Sequence, residues 1–236
     1  MSEAQLFPNG LGVVREFGSK VDPYWYPTVD EETGPVLEPG EESLWWTNLS
    51  RISVPGFVVM DSGRLFVTTR RVIVASAAFD QGSTYGSLGG VGAVIALGAT
   101  VASHRRASKR RAGKVFAGHT RFEWLEGFAL RPDRWSKELG PLLLLVRGHG
   151  GLINIEVSGA PRFTTEWCTW LGQVVASARL SLGTDFGDGR DRLQQLAAGS
   201  FVPDRTSVGG LGWFVPGVGE QTSRAAYRNW AQHTKT

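Results

Sequence analysis

The amino-acid sequence predicts a mainly β protein of the α+β class, in which an antiparallel barrel or sandwich is capped by a C-terminal amphipathic helix. Two observations carry this prediction. Short runs of β-branched and aromatic residues, separated by Gly, Pro and Asp turns, recur between residues 43 and 157. After them, residues 163–180 place apolar side chains at helical spacing on one side. With 42% hydrophobic content, a chain of 236 residues can cover that apolar side with a sheet.

The first strands are predicted after an extended arm, residues 1–36, which is rich in Pro, Gly and acids and has no regular period. Residues 43–60 are interrupted by Pro55-Gly56, so they are expected to form two strands or one bent strand. Two β-rich runs within residues 64–76 are separated by the short polar link Thr69-Arg70, which predicts a hairpin.

An insertion, residues 81–114, follows this hairpin and has an apolar half and a basic half. Its alanine-rich spacing predicts one helix from about residue 88 through residue 109 or beyond. The candidate apolar contact residues are Val91, Val94, Ile95, Leu97 and Val101. The basic block, residues 104–114, contains no acid and supplies the candidate contacts for a membrane or another anion: Arg105, Arg106, Lys109, Arg110, Arg111 and Lys114.

A membrane-spanning helix within the insertion is considered but not favoured. Residues 81–103 carry no charged side chain, and as one helix they would measure about 34 Å, enough to cross a bilayer. Six glycines and a polar first third, however, leave only about fifteen convincingly apolar positions, against the 20 or so that a span needs.

Later elements are predicted from the same signals. One or two strands are expected over residues 121–130, and a glycine-rich turn at 148–151 joins the strands 142–147 and 152–157. The helix over residues 163–180 has Thr164 or Thr165 as its N-cap and Gly183 just past its end. An extension, residues 182–236, contains helical candidates at 191–198 and 223–232, separated by a breaker-rich segment, 208–219.

Several single residues are assigned to packing or to the surface rather than to chemistry. The tryptophans that fall in strand and helix patterns are expected in the core: Trp45, Trp46, Trp167 and Trp170. Cys168 is expected to be a half-buried packing residue, and His104 and His119 are expected at the surface.

Two motifs, together with the later hairpin and the closing helix, resemble the pleckstrin-homology (PH) superfamily, closest to its bacterial PH and GRAM-like domains. The first is Leu37-Glu38-Pro39-Gly40-Glu41 before the first strand, and the second runs from Gly63-Arg64-Leu65 through Thr68-Thr69-Arg70-Arg71. In these families a "pGE" segment precedes strand one, and a "G-x-L-x-x-T-x-x-R" hairpin forms strands two and three. The resemblance covers residues 37–181 and implies a bent antiparallel barrel or sandwich plugged at one end by its C-terminal helix.

Catalytic and metal-binding signatures fail on inspection. Asp185-Phe186-Gly187 lacks the glycine-rich loop and catalytic loop of a kinase, and Gly113-Lys114 lacks the earlier glycine and the following Ser or Thr of a phosphate loop. The acids at 185, 188 and 191 lack the alternating ligands and closing Glu of a calcium loop. We therefore expect a non-enzymatic protein with no catalytic residue, no cofactor and no metal.

Charge is segregated along the chain, which has a net charge of +3. Residues 1–43 hold nine acids against two bases, whereas the basic block holds six cations in eleven positions. Opposite charges on one chain meet at high effective concentration, so the arm is predicted to mask the block. One cysteine and a start without a signal-like segment favour a cytoplasmic protein, peripheral at the inner face of the membrane.

Two functional hypotheses remain open, with nucleic-acid binding less favoured because exposed interleaved aromatics are lacking. The first is a PH-like adaptor or scaffold whose insertion associates with an anionic lipid surface or an acidic protein partner. The second is a structural or assembly protein that forms homo- or hetero-oligomers through the insertion and the arm, without lipid.

Overall fold

The structure is a computed structural model. It describes residues 13–16, 18, 26–31, 34–53, 62–76, 112–132, 139–148, 151–160, 163–183, 189–205, 210–216 and 224–225.

These residues form twelve strands and two α-helices. The strands are β1 Val13–Glu16, β2 Val29–Asp30, β3 Gly34–Pro35, β4 Ser43–Ser53, β5 Gly63–Thr68, β6 Arg71–Ser76, β7 Lys114–Arg121, β8 Leu125–Pro132, β9 Leu139–Gly148, β10 Gly151–Ala160, β11 Asp204–Arg205 and β12 Leu211–Phe214. The helices are α1 Thr165–Ser181 and α2 Arg190–Ala197. Ten strands form one antiparallel sheet in the order β1-β7-β6-β5-β4-β10-β9-β8-β12-β11, and β2 pairs with β3. The mainly β, α+β prediction is confirmed at this level.

Strands β4 to β7 form an antiparallel meander. The predicted hairpin over residues 64–76 is confirmed: β5 and β6 are joined by Thr69 and Arg70, with Val67 opposite Val72. Residues 43–53 form a single strand with a bulge between Ser43 and Trp45. The 77–113 connection then separates β6 from β7.

Strands β8 to β10 form a second meander, and the predicted strands 142–147 and 152–157 are confirmed in β9 and β10. Strand β10 also pairs with β4, which joins the two meanders across more than 100 residues of sequence. The expectation for residues 121–130 was partly wrong. Phe122 and Trp124 lie in the tight turn between β7 and β8, where the Trp124 amide donates to the Arg121 carbonyl at 2.9 Å.

The sheet curves so that its two meanders face one another. Val74 of β6 and Leu144 of β9 belong to one core cluster and line one small cavity, although three strands separate β6 from β9 in the sheet. Alternate residues of β9 and β10 point into this cluster, as the two-residue period of a strand requires.

Helix α1 packs its apolar side into the same core. Thr164 accepts a hydrogen bond from the Trp167 amide at 3.2 Å, and Gly183 adopts a φ of +64°, so the predicted N-cap and C-terminal glycine are confirmed. Leu171 and Val175 are fully buried, and Trp45 of β4 lies 5.0 Å from Trp167, ring centroid to ring centroid.

Both terminal segments contribute strands that the sequence did not reveal. Strand β1 pairs with β7, so the arm is not merely extended, and Val29 packs with Phe66 and Ile73 on the outer face of β5 and β6. Strand β12, inside the segment expected to be a breaker-rich loop, pairs with β8 and buries Trp213 against Phe128. These two strands form because β7 and β8 offer them an edge to pair with, not because their own residues have a strong strand pattern.

Helix α2 confirms the helix expected over residues 191–198, and it packs on α1. The second helical candidate, residues 223–232, lies almost entirely outside the described residues. Neither helix in the described ranges has the length and apolar character needed to cross a bilayer. Residues 81–103, for which a span was considered, are not among them.

Candidate functional site

Most of the sequence-predicted contact residues fall outside the described part of the chain. This holds for the apolar residues Val91, Val94, Ile95, Leu97 and Val101 and for the basic residues Arg105, Arg106, Lys109, Arg110 and Arg111. Lys114 is described: it is half-buried and opens strand β7, where its Cα pairs in register with that of Glu16 in β1. Its position in a paired strand separates it from the rest of the basic block.

The insertion leaves and rejoins the sheet at one end of the β4–β7 meander. Strand β6 ends at Ser76 and β7 begins at Lys114, and Ser76 lies opposite Phe116 in the ladder. The Ser76 hydroxyl donates to the Ser62 carbonyl, which ties this end of β6 to the start of β5. Because antiparallel neighbours alternate in direction, the end of β4 and the start of β5 lie at this same end.

Gly113 directly precedes β7, where the insertion rejoins the sheet. Its φ is +67°, in the left-handed region that residues with a Cβ rarely adopt, and no atom lies within 4 Å of where a Cβ would be. The requirement for glycine at this position is therefore one of backbone conformation and not of space.

A buried ion-pair network occupies the opposite end of the meander and centres on Glu41. The Glu41 carboxylate accepts hydrogen bonds from Arg71, with Nε to Oε1 at 2.8 Å and Nη2 to Oε2 at 2.7 Å. It also accepts from the Thr68 hydroxyl at 2.6 Å and from the Glu38 amide at 2.7 Å. Burial alone would raise the pKa of Glu41, but the bonds from Arg71, the Glu38 amide and Thr68 outweigh it and hold the pKa below its usual value.

The network continues from Arg71, which is fully buried, to strand β7. Arg71 Nη1 lies 2.9 Å from Nδ1 of His119 and 3.3 Å from Oε1 of Glu38, and Glu38 also pairs with Arg121. A guanidinium can only donate, so His119 accepts at Nδ1. The expectation that His119 is a surface residue was wrong: it is 3% exposed, and its ring lies 5.7 Å from that of Trp124.

This network gives the "pGE" and "T-x-x-R" motifs a structural role. It fixes the loop before β4 to the start of β6 and the end of β7, with each charge facing an opposite charge. Two of the nine acids assigned to the arm, Glu38 and Glu41, are therefore engaged inside the fold. They are not available to mask the basic block, contrary to that part of the prediction.

A second buried arginine connects α1 to the turn after β7. The Arg179 guanidinium donates to the carbonyls of Phe122 and Leu125, each at 2.8 Å, and to that of Glu123 at 3.2 Å. Burial lowers the pKa of Arg179, and the negative charge of nearby Glu126 opposes this. Because its partners are backbone carbonyls, Arg179 acts as a clamp between helix and sheet.

The outer face of β4 exposes a large aromatic side chain, Trp46, although its strand pattern predicted a core position. Trp46 is 57% exposed, whereas its neighbour Trp45 points inward toward Phe163 and Trp167. The guanidinium carbon of Arg64, on β5, lies 6.0 Å from the centroid of the Trp46 ring. The alternation of side chains over residues 45–49 could have separated the two tryptophans, because adjacent strand residues face opposite sides.

Other candidate chemistry is accounted for by packing. Cys168 is fully buried, more than the half-burial expected of it, and desolvation raises the pKa of its thiol well above the usual value. The cavity between the meanders has a volume of about 20 Å³, the size of one water molecule, and is lined mainly by apolar side chains. No group of three metal-binding side chains occurs among the described residues.

Comparisons with protein-family models, with curated proteins and with solved structures found no significant match for this chain.

Proposed function

We propose that residues 37–181 form a PH-like domain. Three features of the described residues support this proposal. The "pGE" segment directly precedes β4, the glycine-to-arginine motif forms the hairpin of β5 and β6, and α1 follows the last strand of the second meander. The curved sheet, with the helix packed into its core cluster, is what the resemblance implies.

On this domain we propose a non-enzymatic adaptor or scaffold function, in which the insertion associates with an anionic membrane surface. The observation that carries the proposal is that the insertion joins the sheet through adjacent strands at one end, while the ion-pair network occupies the other end. An apolar segment followed by five cations would therefore extend from one end of a folded domain, where both can reach the same surface.

Two weak contributions add in this arrangement. Each Lys or Arg near an anionic bilayer contributes about 1 kcal/mol before screening, and the apolar segment contributes in proportion to the surface that it buries. A protein held in this way binds peripherally and responds to salt, because the Debye length shrinks to about 3 Å at 1 M. A membrane-spanning helix would instead stay in place in high salt and alkaline carbonate.

Vesicle co-sedimentation with a charge-reversed insertion tests the proposal. We expect Arg105→Glu, Arg106→Glu and Arg110→Glu together to abolish binding to phosphatidylserine-containing vesicles without lowering the melting temperature. The matched control reverses the same number of exposed arginines in the C-terminal extension: Arg190, Arg192 and Arg205. Equal binding by the two triple variants would reject the proposal.

The assembly hypothesis predicts the opposite results for the same protein variants. A protein that used its insertion to join copies of itself would change sedimentation velocity with concentration, and reversal of the basic block would shift it toward monomer. Vesicle binding would then be absent for every variant. Sedimentation velocity of wild type and of the two triple variants, run without lipid, separates these cases.

A further inference from the structure

Among the described residues, none packs over the outer face of β4 at Leu44 and Trp46, whereas the flanking parts of the sheet are covered. Val29 packs over the outer face of β5 and β6, and Phe214 of β12 forms a cluster with Ala129 of β8 and with Leu143 and Leu145 of β9. Between them, Leu44 is 41% exposed and Trp46 is 57% exposed. A solvent-facing tryptophan on a paired central strand calls for a functional explanation, because aromatic side chains of this size are usually buried or at interfaces.

Two cations share this face with the apolar pair. Register places Arg64 opposite Asn48, on the outer side of the sheet with Trp46. The β4–β10 register shifts at Ser50, and this bulge puts Arg51, opposite Ser158, on the same outer side. Both arginines are exposed, and the guanidinium of Arg64 lies over the Trp46 ring. We call Leu44, Trp46, Arg51 and Arg64 the β4 patch.

The two arginines of the β4 patch lie toward the same end of the meander as the insertion, whereas Leu44 lies at the start of β4, toward the other end. Arg64 is the second residue of β5, next to Gly63, and Arg51 lies near the end of β4. The insertion departs after Ser76, whose hydroxyl bonds to the carbonyl of Ser62 beside the start of β5. A lipid surface in contact with the insertion could therefore also contact the two arginines and Trp46.

From these positions we infer that the β4 patch is a second contact with the anionic lipid surface, in addition to the insertion. This inference rests on the proposed function. The arginines would meet lipid phosphates, and the Trp46 indole would lie at the headgroup level, where tryptophan is enriched in membrane proteins. Strand β4 is hydrogen-bonded on both sides, so the face offers side chains only and cannot accept an added strand.

The size of the patch favours lipid over a protein partner. The exposed parts of Trp46 and Leu44 amount to about 200 Å². A stable protein interface buries about 800 Å² on each partner and needs matching shape around its central residues. A bilayer imposes no such requirement, because lipids adapt to the side chains that they meet.

A fluorescent label at position 46 tests the contact directly. In the full chain, Trp46→Cys is labelled with an environment-sensitive dye; native Cys168 is fully buried and stays unlabelled. The matched control carries the same dye at Ser177→Cys, an exposed position on α1. We expect a blue shift at position 46, and none at position 177, on phosphatidylserine-containing vesicles but not on phosphatidylcholine alone.

Charge reversal provides the second measurement. Each Arg near an anionic surface contributes about 1 kcal/mol, so Arg51→Glu with Arg64→Glu should weaken vesicle partitioning by about tenfold or more. The control pair, Arg190→Glu with Arg192→Glu, lies on α2, which packs on α1 and is not part of the β4–β7 meander, so it should change partitioning by less than about twofold. Melting temperatures equal to that of wild type for both pairs show that the fold is kept.

The outcomes distinguish the β4 patch from the insertion. Vesicle binding with no shift at position 46, and no loss on reversal of Arg51 and Arg64, overturns the inference but leaves the proposed function standing. Absence of wild-type binding overturns both. A shift at position 46 that depends on protein concentration without vesicles overturns the inference in favour of self-association.

Discussion

The Glu41–Arg71 pair offers the sharpest test of how the fold is held together. Arg71 and Glu41 expose 1% and 0% of their side chains, and two hydrogen bonds of 2.8 and 2.7 Å join them. Glu41→Gln removes the charge while keeping the size and one acceptor oxygen. The guanidinium is then left buried without its main counter-ion.

The expected cost follows from this geometry. Removing one partner of a buried pair costs about 3–5 kcal/mol. Glu38 remains 3.3 Å from Arg71, and the glutamine oxygen can still accept from Thr68, so we expect the lower end, about 3 kcal/mol. For a chain of this size, that loss lowers the melting temperature by about 6–12 °C.

Acid dependence gives an independent check with a defined sign. The pKa of Glu41 is lower in the folded than in the unfolded protein, so its contribution to stability is present above the unfolded pKa, near pH 4.5. That contribution is lost as the pH falls through the folded pKa. The Glu41→Gln variant lacks it, so its stability should fall less steeply than that of wild type below about pH 4.5.

Urea denaturation measures both effects, at pH 7 and along an acid series. The control is Glu42→Gln, the adjacent exposed carboxylate, which we expect to change stability by less than about 0.5 kcal/mol. Equal unfolding free energies for the two variants, or identical acid slopes for wild type and Glu41→Gln, would refute the reasoning.

Three further predictions concern other parts of the fold. Arg179→Met should cost about 2–4 kcal/mol in urea denaturation, because three backbone carbonyls lose a charged donor; a cost below that of the exposed Arg190→Met would contradict the clamp. Gly127→Ala should cost about 1–3 kcal/mol, because its Cβ would lie 2.8 Å from the Trp213 carbonyl oxygen, and hydrogen exchange should rise in β12 first. Unchanged exchange there would show that β12 can move aside. The Cys168 thiol should react with a disulfide reagent only as fast as the protein opens, since burial raises its pKa; rapid reaction in the native state would place it at the surface.

Local elements were largely predictable from the sequence because their signals are local. The hairpin around Thr69 and Arg70, the N-cap at Thr164 and the glycine after α1 each depend on a few neighbouring residues. Their type and approximate bounds therefore follow from pattern alone, before any tertiary contact is known. The motif residues Glu41 and Arg71 could be recognised in the same way, although their pairing could not.

The tertiary structure decided what depends on a distant partner. Strand β1 exists as a strand because the edge of β7 is free to pair with it, and β12 exists because β8 is. Burial of His119 follows from the position of Arg71, 48 residues earlier, and the pairing of β4 with β10 joins segments more than 100 residues apart.

The contrast between Trp45 and Trp46 shows the same division at the candidate contact surface. Sequence determined that both tryptophans lie in a strand and therefore face opposite sides. Only the folded sheet decided which side is covered, because α1 packs against Trp45 whereas the outer face at Trp46 stays open. Periodicity fixes how side chains alternate along a strand, but the choice between core and solvent depends on what packs against each face.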